Sequence, residues 1–229
     1  MSMSISMHMK FVSAAESGTM NYAVYYPDNY TDLPLLVYLH GAGERGTAFD
    51  HIYRHAIPLL LSQGRTYPAV ILVPQCPTEV VWDNVVGDVK AIIDTVAAEF
   101  SIRPDRICLT GSSMGGYGTW SMALTYPSFF SAIAPIAGGG MAWRAKRLVT
   151  TPVYAFHGAE DLTVVPVYSQ LMCDAVTAAG GEARLVLLEN LGHDDGINYA
   201  YAHTDLVDWL LQQRRRDFNF VPDACSQYY

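Results

Sequence analysis

The segment Gly111-Ser112-Ser113-Met114-Gly115 holds a serine between two close-set glycines, a G-x-S-x-G pattern. That spacing suits a strand that turns sharply into a helix and lifts one hydroxyl above a sheet. Glycines two before and two after are needed because the turn is too tight for Cβ atoms. Ile107–Gly111 reads as the strand and Met114–Tyr126 as the helix. A serine hydroxyl is a poor nucleophile at neutral pH and needs a base, which in turn needs an orienting acid. In this context the expected chain order is serine, acid, histidine. His193 follows the last expected strand and fits the base; Asp161 follows Val153–His157 and fits the acid. Rivals fit less well: His203 falls within an expected helix, and His40 and His157 end strands. Glu160 adjoins Asp161, Asp174 sits mid-helix, and Glu189 lies in the histidine's own loop. The competing use of Ser113 is as a helix cap.

A second loop, His40-Gly41-Ala42-Gly43-Glu44-Arg45-Gly46, also follows a strand. Gly41, Gly43 and Gly46 satisfy G-x-G-x-x-G, but a dinucleotide site also wants an acidic residue about 20 positions on. No Asp or Glu lies between Asp50 and Glu79. The better use of the loop is to turn backbone N–H groups toward a developing anion. His51 and His55 are spaced to chelate a metal on a helix face, yet no third ligand is evident. Trp82 and Trp143 follow strands and are candidate pocket walls, with packing roles equally open.

These residues need a scaffold. Apolar runs at Leu35–His40, Ala69–Pro74, Ile107–Gly111, Ala132–Ile136, Val153–His157 and Ala183–Leu188 read as strands, several of them buried on both faces. Helix candidates lie between them at His51–Leu61, Val85–Phe100, Met114–Tyr126, Ser169–Ala179 and Tyr201–Arg214. Met7–Val12 and Asn21–Tyr26 suit an antiparallel pair leading in. The alternation predicts an α/β fold: a mostly parallel sheet with helices on both faces and its site at the carboxyl ends of the strands. The expectation is one domain over 1–229, with 1–10 either a disordered or added start and 215–229 a tail. Between Ile136 and Val153 about 16 residues remain, too few for a large cap.

Composition narrows the partners. The 229 residues are 51% hydrophobic and 16% charged, which excludes a disordered chain or a coiled coil. A net charge of −8 argues against nucleic acid. No apolar run approaches a membrane span, and the start lacks the apolar block of a secretion signal, so a cytoplasmic location is expected unless such a signal has been removed. The four cysteines, 76, 108, 173 and 225, show no C-x-x-C spacing and read as reduced, mostly buried thiols.

His40–Gly46, Pro74-Gln75-Cys76-Pro77, Gly111–Trp120, His157-Gly158-Ala159-Glu160-Asp161 and Gly192-His193-Asp194 together resemble the α/β-hydrolases. More narrowly they are similar to small single-domain esterases grouped with dienelactone hydrolases, phospholipase/carboxylesterases, feruloyl esterases and predicted peptidases. The resemblance runs from about Val24 to Gln213. It implies Ser113 as nucleophile, His193 as general base and Asp161 as its orienting acid. An oxyanion hole would come from the N–H of Met114 and that of Ala42 or Gly43. It implies a small-molecule ester substrate, no cofactor and no metal. The loop reads His-Gly-Ala-Gly where some relatives carry three glycines, which leaves the second oxyanion donor open between Ala42 and Gly43. Peptide hydrolysis and a non-catalytic binding module are the competing readings.

Overall fold

The computed structural model describes residues 6–216. Eight strands form one sheet in the order β1-β2-β4-β3-β5-β6-β7-β8. They are β1 (Met7–Val12), β2 (Tyr22–Pro27), β3 (Leu35–Leu39), β4 (Val70–Pro74), β5 (Ile107–Ser112), β6 (Ile133–Ile136), β7 (Val153–Gly158) and β8 (Ala183–Leu188). β1 pairs antiparallel with β2 and β2 with β4, while every other pair is parallel. The chain has the α/β-hydrolase fold with helices on both faces and no cap domain among the described residues.

The helices are α1 (Ala14–Ser17), α2 (Ala56–Ser62), α3 (Val86–Glu99), α4 (Met114–Thr125), α5 (Val167–Ala178), α6 (His193–His203) and α7 (Leu206–Gln212). Alternation along β3 shows how they divide. Leu35, Val37 and Leu39 join the core beneath α3, α4 and α5, whereas Leu36 and Tyr38 join the core beneath α2, α6 and α7. Both faces of the strand are therefore dry, which is why its sequence is continuously apolar. Each leucine so buried contributes roughly 1.5–3 kcal/mol.

Three expectations need correcting. Residues 7–10 are not a loose start: they lie in β1, paired with β2. His51–Leu61 is not one helix, because Pro58 has no N–H to bond to the carbonyl four residues back. Instead a 3₁₀ segment, Phe49–Arg54, ends at an extended His55, and α2 starts at Ala56 with Pro58 in its first turn. His51 and His55 thus share no helix face. The last helical stretch begins earlier than Tyr201 and is broken: α6 starts at His193, and Thr204 turns extended before α7. The Thr204 hydroxyl bonds back to the Ala200 carbonyl at 2.6 Å and accepts the N–H of Leu206, closing one helix and opening the next.

The parallel register brings the site loops level. Leu39 lies opposite Gly111, Ser112 opposite Ile136, and Gly158 opposite Leu188. The loops after β3, β5, β7 and β8 therefore leave the same edge of the sheet.

Candidate active site

Ser113 sits where β5 becomes α4, with φ 55° and ψ −118°. A non-glycine residue there is strained by an estimated 1–3 kcal/mol and persists only where its surroundings over-determine it. They do so here. The Ser113 N–H bonds to the Ile136 carbonyl at 2.9 Å, and its own carbonyl accepts from Tyr117. The flanking glycines serve close approach. A Cβ on Gly115 would lie 1.9 Å from the Leu39 carbonyl oxygen, and one on Gly111 would lie 2.4 Å from the Gly115 oxygen.

The turn brings the Ser113 Oγ within 2.9 Å of His193 Nε2, and His193 Nδ1 lies 2.6 Å from Asp161 Oδ2. A carboxylate only accepts, so Nδ1 carries the proton and Nε2 of the neutral ring is left to accept from the serine hydroxyl. The other oxygen, Asp161 Oδ1, accepts the N–H groups of Thr163 and Val164, each at 2.9 Å. Burial alone would raise the Asp161 pKa. The hydrogen bonds from His193 and from the Val164 and Thr163 N–H groups outweigh it and hold the carboxyl below its ordinary 3.8. The rivals stand apart: Glu160, Asp174, Glu189 and His203 are all exposed.

The loop after β3 opens with a short 3₁₀ turn, Ala42–Glu44, where no helix long enough for a dinucleotide phosphate forms. Its carbonyls are held from behind: Arg45 Nε donates to Ala42, Arg54 to Gly43, and Gln75 Nε2 to Glu44. Ala42 and Gly43 open this turn and Met114 opens α4, positions whose N–H groups have no partner within their own helix. His40 anchors the loop. Its Nδ1 donates to Gly41 O at 2.6 Å and its Nε2 accepts the Cys76 N–H at 2.9 Å. Its carbonyl accepts Trp82 Nε1–H at 2.9 Å. Burial lowers the His40 pKa to about 4, so this bridge stays neutral.

Two cavities border the turn from β5 to α4, and Ser113 lines the first of them. One, of about 300 Å³, includes Ser113, His193, Glu44, Arg54, His55 and Asp194 in its lining. The other, of about 330 Å³, is lined by Val81, Trp82, Asp83, Met114 and Tyr117. Trp82 is at once a buried packing residue and a cavity wall, whereas Trp143 is 69% exposed and lines neither. Sequence reasoning missed Glu44 and the role of His40. A charged residue among the glycines of a strand-end loop was the available signal for the first. It also set His157 aside, yet this buried ring lies with Nε2 3.3 Å from Asp161 Oδ2 and 2.7 Å from Val164 O. Cys76, Cys108 and Cys173 are buried and free, and Cys225 lies outside the described residues. Among the described residues no helix is long and apolar enough to cross a membrane.

Comparison with known proteins gives a consistent picture. The profile of the family described as "Putative esterase" matches residues 13–163. Poly(3-hydroxyalkanoate) depolymerase C of Paucimonas lemoignei is 31% identical over 121 residues, 46% of this chain and 28% of that protein. The bifunctional acetylxylan esterase/xylanase XynS20E of Neocallimastix patriciarum is 30% identical over 144 residues, 60% of this chain and 21% of its own length. The chain thus spans less than a third of either relative. A thermostable esterase superposes with a TM-score of 0.76 at 28% identity, covering 91% of this chain and 63% of that one. A mutant feruloyl esterase module from Clostridium thermocellum, complexed with sinapinate, reaches 0.72 at 15% identity over 96% and 93%, a likeness of fold.

Proposed function

The chain belongs to the Esterase family, and on that premise we propose that it is a serine carboxylesterase acting on short-chain or small aromatic esters. The observation that carries the reading is the unbroken relay from Ser113 through His193 to Asp161, at 2.9 and 2.6 Å. Ser113 Oγ attacks the ester carbonyl while His193 Nε2 takes its proton, and Asp161 stabilises the imidazolium that forms. The carbonyl oxygen, now an anion, is received by the N–H of Met114 and that of Ala42 or Gly43. His193 then hands the proton to the departing alkoxide, leaving an acyl group on Ser113. Water, deprotonated by the same ring, releases the acid. No step needs a metal or an organic cofactor.

The two cavities are about 300 and 330 Å³ and stand open to solvent, with no cap among the described residues, which favours small or soluble acyl groups. The relatives' names widen the field to acetylated xylan and to poly(3-hydroxyalkanoate) esters. A fluorophosphonate probe tests the chemistry: it should label the wild type and not Ser113→Ala. A panel of acetyl to long-chain esters, with methyl ferulate and a peptide anilide, tests the range. Turnover of the anilide above every ester would replace this reading with a peptidase.

A further inference from the structure

Glu44 is 3% exposed, yet its carboxyl receives no hydrogen bond from any side chain among the described residues. The carboxyl accepts from its own backbone N–H, and burying its charge beside the cavity still costs stability. The cost shows in its titration, for burial raises its pKa against the opposing pull of His55 and Arg54. The group lies at the reacting centre. A Cβ built on Gly41 would lie 3.1 Å from Glu44 Oε2 and 3.6 Å from Ser113 Cβ, so the carboxyl and the serine flank one point above the loop. Two residues beside the carboxyl have other partners: Arg54 Nη1 donates to Gly43 O at 2.9 Å, and His55 Nδ1 faces Asn198 Nδ2 at 3.4 Å.

The direction of proton flow says which part of the substrate meets this group. His193 must protonate the leaving oxygen, so the alcohol lies on the side of Ser113 that His193 occupies. That side is the cavity shared by His193, Asp194, Glu44, Arg54 and His55. The acyl group is left the apolar cleft of Val81, Trp82, Met114 and Tyr117. We propose that Glu44 is a specificity-determining residue that accepts a hydrogen bond from a hydroxyl on the leaving alcohol, so that the preferred substrates are esters of hydroxylated alcohols. The inference rests on the serine esterase reading and extends it to the alcohol side.

Glyceryl monoacetate and propyl acetate share an acyl group and a three-carbon alcohol and differ only in hydroxyls. The ratio of their kcat/KM values in the wild type should favour the glyceryl ester about tenfold or more, the scale of a hydrogen bond to a charged group. It should fall about tenfold in Glu44→Leu and about threefold or more in Glu44→Gln, which keeps one acceptor oxygen. Fluorophosphonate labelling of Ser113 identifies the variants that retain a working site. A wild-type ratio near one, or a ratio unchanged in every variant that labels, overturns the proposal, because a merely structural glutamate would slow both esters alike. A wild type that resists the probe, by contrast, removes the underlying serine reading.

Discussion

Replacing Asp161 with asparagine changes one oxygen for an amide nitrogen, and the surrounding hydrogen bonds dictate which one. Oδ1 accepts two backbone N–H groups at 2.9 Å, so that position must remain an oxygen. The NH₂ is then forced to the Oδ2 position, 2.6 Å from His193 Nδ1. It can only donate, so Nδ1 must become the acceptor and the ring proton moves to Nε2. Nε2–H now points at Ser113 Oγ and cannot take its proton. The same NH₂ confronts His157 Nε2, which must itself carry a proton to bond the Val164 carbonyl at 2.7 Å. A wrong tautomer in such a triad lowers kcat by about 10⁴, or some 5 kcal/mol of barrier. The measurement is the acylation rate with p-nitrophenyl acetate and, in parallel, the rate of fluorophosphonate labelling. Both should fall together, and the melting temperature at pH 7 should fall as well, because the buried NH₂ faces the His157 N–H and the stabilised carboxylate is lost. An Asp161→Asn enzyme within tenfold of wild type would refute the argument, since no rotamer of the amide preserves both sets of bonds.

Other outcomes follow from the same geometry. Ser113→Ala and His193→Ala should each lower kcat by about 10⁵–10⁶, and the double variant should be no slower than either, as checked by steady-state assay of all three. Activity across an acyl series should peak at about two to six carbons or on small aromatic esters; a maximum near twelve carbons, with a rate jump at the solubility limit, would contradict the open cleft. Glu44→Gln should raise the melting temperature at pH 7. The wild-type carboxyl binds its proton more tightly folded than unfolded, so its ionisation weakens the fold as pH rises, and the gain should vanish as pH falls toward the ordinary 4.5. Melting curves of both proteins between pH 4 and 8 decide it.

Strand positions were legible because burial on both faces leaves uninterrupted apolar runs, as in Leu35–Leu39 and Val70–Pro74. The three residues proposed as a triad stood out because each follows closely on such a run, in the chain order serine, acid, histidine. Helix ends near the site were not. Asp194, Asp195 and Gly196 are weak helix formers, so nothing in the sequence announces that α6 begins at His193. Its folding there depends on tertiary contact, with Gly196 packed against the backbone of Gly158 at the end of β7. For Glu44 the charge among the loop glycines was a signal, but its burial was not legible. A glutamate in a glycine-rich loop reads as solvated until the turn is seen to fold it inward. Trp143 shows the converse, since an aromatic after a strand end proves to lie on the outer surface.

His40 has a consequence for anyone who would retune this protein. Through one neutral ring and one carbonyl it joins the Gly41 loop, the Cys76 segment and the Trp82 indole. Trp82 is the obvious residue to trim in order to widen the apolar cleft, but its indole N–H is also a strut of the loop that would steady the anion. Trimming it exchanges selectivity for turnover on every substrate at once. Val81 and Tyr117 border the same space, and neither is tied to His40 in this way. The wall of the cleft is thus divided into a fixed half and an adjustable half, and adaptation to new acyl groups has room only in the second.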